Sequence, residues 1–302
     1  MTWKLSFCVP SSSVQLLGEF LDAKGYYFSV FKNNKKKNVV KTSWVLELFF
    51  EDEAQKANIV SEIAVFSAFH KVDIGKNDIS KIPDTDWLAE SLSSFKPFSI
   101  DRFWIYGSHA KANIPSGSLG LCVNASKAFG SGEHITTQGC LIALRDLQKS
   151  NSFSKLIMAH KFTPVLDVGC GTGILAMASV RLWNCFAIAS DIDPNATMVA
   201  KDLIAQNGLS QKIKVLELDG VSRREVISHA PYPLIIANIL ARPLCALARD
   251  FSELLSQSGR MVLSGVLLDQ VSMIVTHYRA HNVVLKRKYI RDEWATLVLG
   301  KQ

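Results

Sequence analysis

The sequence predicts a small α+β domain at the front and a larger α/β domain behind it, the latter built on a mostly parallel sheet covered by helices. Three observations carry this. Through residues 99–302, short continuous apolar runs alternate with helical stretches, the pattern of parallel strands buried on both faces. One such run leads into a glycine-rich turn and then a helix, Val165-Leu-Asp167-Val-Gly169-Cys-Gly171-Thr-Gly173. The first 83 residues instead follow the order β-α-β-β-α-β. A chain of 302 residues has room for two such domains at ~100–200 residues each.

The front elements follow from local pattern. Trp3 to Val9 alternates as a short strand. Ser11-Ser-Ser13 offers caps for a helix with apolar residues at helical spacing from Val14 to Leu21, and Gly25 ends it. Tyr26–Phe31 and Ser43–Phe50 are strands either side of a loop, Lys32 to Lys41, with five lysines in ten residues. That loop is either a solvated hairpin tip or a contact for an RNA-bearing partner. Glu51 to Phe69 is a second helix with acids in its first turn, and Val72 to Ile82 the fourth strand. This is the ferredoxin-like order, so residues 1–83 form one domain. Residues 84–98, following Pro83, are a linker, and 99–302 the second domain.

In the rear domain the strands are Val165–Val168, Phe186–Ala189, Ile213–Leu216, Leu234–Ala237 and Gly259–Ser264. Val283–Tyr289 and Glu293–Leu299 sit close enough in sequence to pair as an antiparallel hairpin. The stretch Ser150 to Phe162 has no clear pattern.

Composition narrows the function. No run of 18 apolar residues exists, which argues against a membrane span, and the N-terminus lacks the pattern of a secretory signal. Six scattered cysteines with no Cys-x-x-Cys pair argue against a zinc site or disulfide scaffold and point to the cytoplasm. Residues 1–98 hold 12 lysines, no arginine and 12 acids, so the net charge of +7 belongs to the rear. A balanced front domain without arginine is a poor clamp for nucleic acid, so no sequence-specific nucleic-acid binding is expected.

The chemistry centres on the glycine turn. Glycines permit close backbone approach by a ligand, and a helix N-terminus favours negative charge. Gly171-x-Gly173-x-x-Ala176 also satisfies a dinucleotide fingerprint, so a nicotinamide oxidoreductase stands as a rival. Asp191, closing the next strand, is placed to accept the ribose hydroxyls of a nucleoside-bearing cofactor; Asp193 before Pro194 suits a helix cap. Asp219 is either an adenine contact or a loop carboxylate. Asn238 closes a buried strand where its amide oxygen can accept from an amine, or else it caps the next helix. The following residues, Ile239-Leu240-Ala241, offer no aromatic platform for a flipped base. The segment Ala128-Phe-Gly130-Ser-Gly132-Glu-His134-Ile-Thr136-Thr137 is a candidate lid feeding a helix, with His134 either structural or catalytic.

Taken in order, these pieces resemble one family. Phe129-Gly-Ser-Gly-Glu-His134-Ile-Thr-Thr137 is followed by Leu166-Asp-Val-Gly-Cys-Gly-Thr-Gly-Ile-Leu-Ala176, then Asp191-Ile-Asp-Pro194 and Ala237-Asn-Ile-Leu240. Leu263-Ser-Gly265-Val-Leu and Trp294-Ala-Thr-Leu-Val complete the series. Residues 100–302 are thereby similar to the PrmA-type methyltransferases of large-subunit ribosomal protein eleven. The commoner first motif differs at Ser131, Glu133 and Ile135, while the glycines, His134 and both threonines stand.

The resemblance implies a Rossmann-like class I S-adenosylmethionine-dependent methyltransferase domain. It implies S-adenosylmethionine held by Thr137, Gly169, Asp191 and Asn238, with Gly171, Gly173 and Asp219 beside them. It also implies methylation of lysine side-chain amines, and of the N-terminal amine, of that ribosomal protein. The front domain is then expected to recruit the substrate, and Asn238 to orient the amine; the enzyme is expected to be a monomer. A methyltransferase of another protein or of RNA, and a non-catalytic ribosome-binding module, are the further alternatives.

Overall fold

A computed structural model describes residues 2–10, 13–32, 43–50, 53–72, 74, 78–82, 96–108, 114–123, 132–159 and 164–302. The chain divides into two compact units, Met1–Trp87 and Leu88–Gln302.

In the front unit, β1 (Thr2–Pro10), α1 (Val14–Ala23), β2 (Tyr27–Lys32), β3 (Ser43–Phe50), α2 (Glu53–His70) and β4 (Asp78–Ile82) follow one another. The sheet order is β2-β3-β1-β4 with all neighbours antiparallel, the ferredoxin-like arrangement. Period-two alternation sends Leu5, Phe7 and Val9 of β1 and Leu46, Leu48 and Phe50 of β3 into one core with Leu17, Leu21, Ile59, Ile63 and Phe66 of the helices. On the other face Lys4 pairs with Glu47 at 3.0 Å. The fourth strand is shorter than its sequence pattern implies, starting at Asp78 rather than Val72. Val72 is buried and receives a hydrogen bond from Ser67 Oγ on its carbonyl, so it closes α2 instead. Residues 33–42 of the lysine-rich loop and 84–95 of the expected linker lie outside the described residues, while the end of that linker is described and Phe98 already begins a strand.

The rear unit opens with a small sheet, β5 (Phe98–Ile100), β6 (Phe103–Tyr106) and β7 (Leu119–Cys122). Strands of three or four residues leave too little periodicity to be read from sequence. Two helices follow, α3 (Ile135–Lys149) and α4 (Asn151–Ala159). The latter accounts for most of the unpatterned stretch from Ser150. Phe153 and Ile157 are buried in the core, and Ser154 Oγ accepts a hydrogen bond from Trp183 Nε1 at 3.1 Å.

Then come β8 (Val165–Val168), α5 (Ile174–Trp183), β9 (Ala187–Asp191), α6 (Pro194–Gln206), β10 (Ile213–Glu217), α7 (Arg224–Ile227) and β11 (Tyr232–Asn238). The chain ends with α8 (Ala241–Ala246), α9 (Ala248–Leu254), β12 (Leu255–Leu267), α10 (Val271–Arg279), β13 (Val283–Arg291) and β14 (Trp294–Lys301). The seven-stranded sheet has the order β10-β9-β8-β11-β12-β14-β13. Its strands are parallel except β14, which runs antiparallel to both neighbours. Both faces are covered. Leu234, Ile236 and Val262 join one apolar cluster, while their neighbours Ile235, Ala237 and Leu263 join the other. The strand order reverses between β8 and β11. In an open sheet of this kind, ligands bind beyond the carboxyl ends of the strands at that reversal.

Candidate active site

A cavity of about 660 Å³ lies there. The ends of β8, β9 and β11 supply Gly169, Gly171, Asp191 and Asn238 to its wall, the loop after β10 supplies Asp219, and the first turn of α3 supplies Thr137. Six of the seven residues expected from sequence thus meet around one space.

Gly173 is the exception. It caps α5 with φ +75°, and a Cβ there would meet Ile204 and Ala200 of α6 rather than the cavity. Its smallness serves helix packing, so the structure does not place it with a ligand. Asp167, the acid before the glycines, is likewise structural. It is fully buried, and its Oδ2 accepts the Ala176 N–H at 2.9 Å, satisfying a first-turn donor that glycine cannot cap. Burial pushes its carboxyl up to about 7.

Asp191 holds the turn from the other side. Its Oδ2 accepts from Gly171 N–H at 2.8 Å and its Oδ1 from Asp193 N–H at 3.1 Å. Each carboxylate oxygen has a second lone pair for a ligand hydroxyl. Asp193 caps α6 through Asn195 N–H at 2.8 Å, with Pro194 at the first helical position.

Asn238 donates from Nδ2 to Thr137 Oγ1 at 3.3 Å. Its carbonyl oxygen is buried and has no hydrogen-bond partner among the described residues. The cap of α8 is Leu240, so Asn238 does not serve as that cap. A buried acceptor left without a donor costs about 1–3 kcal/mol, which a ligand N–H recovers.

His134 is the cap of α3. Its Nδ1 accepts from Thr136 N–H at 3.4 Å and lies 2.7 Å from Thr136 Oγ1, and burial lowers its pKa, keeping the ring neutral. That is the structural role. Of the candidate lid, residues 124–131 lie outside the described residues. Gly132, at φ +88°, packs against Ile105 and Ile174.

Leu218 of the wall had no sequence signal, and Ile192, Leu240, Gly265 and Trp294 stood in the motif series without a role of their own. Gly265 has the sharpest consequence. A Cβ there would lie 2.4 Å from the Ile239 carbonyl oxygen, and φ is +79°. On the opposite side, a Cβ on Gly169 would lie 2.3 Å from Ile239 Cγ2. Ile239, next to Asn238, is therefore seated between two glycines from the strands flanking β11.

Gly265→Ala is expected to lower methyl-transfer turnover more than cofactor affinity and to reduce the melting temperature. Gly117→Ala is the control, with φ +78° and nothing within 4 Å of its Cβ position. The left-handed conformation alone costs about 1–2 kcal/mol in either variant. Equal losses of stability and turnover in both would show that Ile239 is not held this way.

The sequence matches the family model "Ribosomal protein L11 methyltransferase (PrmA)" over residues 11–302. The chain belongs to the PrmA family. Curated relatives agree. A ribosomal protein L11 methyltransferase of Caulobacter sp. (strain K31) is 34% identical over 278 residues, covering 92% of this chain and 89% of that protein. One of Rhizobium etli is 32% identical over 284 residues, covering 94% and 92%. A crystal structure of ribosomal protein L11 methylase from Lactobacillus delbrueckii subsp. bulgaricus has a TM-score of 0.58 at 22% identity. It covers 69% of this chain and 100% of that one, and so shares the fold. The PrmA assignment makes this chain a methyltransferase with S-adenosylmethionine as methyl donor and the class I fold.

Proposed function

We propose that this PrmA-family chain methylates amine nitrogens of large-subunit ribosomal protein eleven, namely lysine side-chain amines and the N-terminal amine. The observation that carries the amine is the buried, unpartnered carbonyl oxygen of Asn238 at the cavity wall. An amine N–H is the donor it lacks, and a neutral amine so held has its lone pair free to attack.

The cavity fits the methyl donor. Among the described residues its charged wall groups are Asp191 and Asp219, with no lysine or arginine, although the chain carries +7. Such a wall favours a sulfonium cation and disfavours the pyrophosphate of a nicotinamide dinucleotide. Asp191 would take the ribose hydroxyls, Asp219 the adenine amino group, and Thr137, Gly169 and Gly171 the remaining contacts. When bound, S-adenosylmethionine supplies an already activated methyl group.

The chain's own work is positional. Asn238 aims the amine. The apolar walls, Ile239, Leu240, Pro243 and Leu247 among them, exclude water. A lysine amine has a pKa of ~10.4 and must shed its proton before attack, which low-dielectric surroundings favour. No other group is needed as base beyond water.

The front domain, in this reading, recruits the ribosomal protein. A chain lacking residues 1–83 is expected to bind S-adenosylmethionine with unchanged affinity by calorimetry and to lose methylation of that protein. Normal methylation by the truncated chain would overturn the recruiting role. We further propose that the enzyme works in the cytoplasm, as a monomer without sequence-specific nucleic-acid contacts. All six cysteines are free, as a reducing compartment keeps them, and no described helix is long and apolar enough to cross a membrane.

Methyl transfer to the purified ribosomal protein, with ribosomal RNA as a parallel acceptor, tests the substrate assignment.

A further inference from the structure

Trp294 is the only indole on the cavity wall among the described residues, and nothing above assigns it a role. It begins β14, pairs in register with Leu267 of β12, and is half-buried. His134 meets its ring edge-on, with centroids 5.4 Å apart and planes at 76°. Since His134 is fixed as the cap of α3, it anchors the indole at the cavity.

The sheet fixes the distance to the amine site. Asn238 pairs with Ser264 of β12, and Ser264 Oγ reaches the carbonyl of Ala295, next to Trp294. Trp294 itself pairs with Leu267, three residues beyond Ser264, so Asn238 and Trp294 sit two strand spacings apart and about three residues offset along the strands, roughly 14 Å between backbones. Their side chains enter the same cavity from either side of β12.

The two groups suit different stages of one substrate. A primary amine has N–H bonds to give to the Asn238 oxygen. At each transfer, the nitrogen lone pair forms a bond to the methyl carbon, the carbon–sulfur bond breaks, and its electron pair leaves with the sulfur. The resulting ammonium must lose a proton to water before the next attack. Every round removes one N–H, and a neutral dimethylated amine has none left for Asn238. What it presents is methyl groups and, when protonated, a diffuse cation. An indole face binds both, by dispersion and by cation–π attraction. Among the described residues the cavity wall holds no lysine or arginine to compete for that face.

We propose that Trp294 determines the number of methyl groups each amine receives, by holding the partly methylated nitrogen for the later transfers while Asn238 governs the first. This rests on the amine-methyltransferase reading.

The test is intact-mass analysis of the ribosomal protein over time with the wild-type enzyme, Trp294→Ala and Trp294→Phe. Trp294→Ala is expected to slow the second and later transfers at least about ten-fold more than the first and to accumulate monomethylated product, with Trp294→Phe restoring much of the later transfer. A second readout needs no turnover. Ribosomal protein dimethylated by reductive methylation should bind Trp294→Ala about five-fold more weakly than wild type, while unmodified protein binds both alike. An unchanged product distribution would overturn the role. So would an equal loss at all stages accompanied by weaker S-adenosylmethionine binding, or a wild-type enzyme that stops at one methyl per amine. A wild-type enzyme that transfers nothing to the protein would instead overturn the underlying reading.

Discussion

Asn238→Ala should lower methyl transfer at saturating cofactor about 100-fold, the scale on which misplacing a reacting group acts, well beyond the loss of S-adenosylmethionine affinity that its expected share in holding the cofactor brings. The substitution removes the buried carbonyl oxygen proposed to accept from the amine and frees Thr137 Oγ1 of its Nδ2 partner. The loss should therefore fall on turnover. Single-turnover rates at saturating cofactor, set beside calorimetric affinities, check it. Asn238→Asp sharpens the expectation. A carboxylate still accepts from the amine, but its charge favours the ammonium form and raises the amine pKa. The rate should then recover only as the pH rises, with the profile displaced to the alkaline side of wild type. An Asn238→Ala enzyme with wild-type turnover would remove Asn238 from the chemistry.

Asp191→Ala is expected to weaken S-adenosylmethionine binding by ~1–3 kcal/mol, through the loss of a charged acceptor for ribose hydroxyls. A second effect adds to this. The backbone donors of Gly171 and Asp193 lose their acceptors, so the glycine turn keeps its bonds from Gly169 and Cys170 to the Ser190 carbonyl of β9 but loses its side-chain tether. Asp191→Asn retains one carbonyl oxygen, which only one of those two donors can use. It should fall between wild type and alanine. An unchanged calorimetric affinity in Asp191→Ala would contradict the assignment.

What was legible in the sequence was whatever is carried by contiguous residues. The strand–glycine–helix run around Gly169 and Gly171 places itself, because one short segment holds both the strand and the turn. Asp191 and Asn238 were legible because each closes a buried strand, and parallel strands deliver their carboxyl ends to one edge of the sheet. Gly173 shows the limit. Its spacing marks it as part of the turn, but whether its bare face meets a ligand or a helix depends on α6, which arrives from elsewhere in the chain. His134 shows the same ambiguity: it bonds Thr136 N–H as a helix cap while also lining the cavity. Gly265 and Trp294 act through cross-strand register. Nothing local states that a glycine in β12 receives the Ile239 carbonyl, or that the first residue of β14 reaches the space beside Asn238. The small β5–β7 sheet was illegible for a different reason, since strands of three or four residues hold at most two repeats of the two-residue period.

The most direct test of the central claim is an intact-mass measurement on purified large-subunit ribosomal protein eleven incubated with the enzyme and S-adenosylmethionine, alongside ribosomal RNA as a separate acceptor. Mass gains in whole methyl units on the protein, located by fragmentation to lysine or N-terminal amines and strongly reduced with Asn238→Ala, are the predicted result. Methyl incorporation into RNA alone, or no transfer to either acceptor by an enzyme that binds the cofactor, would contradict it.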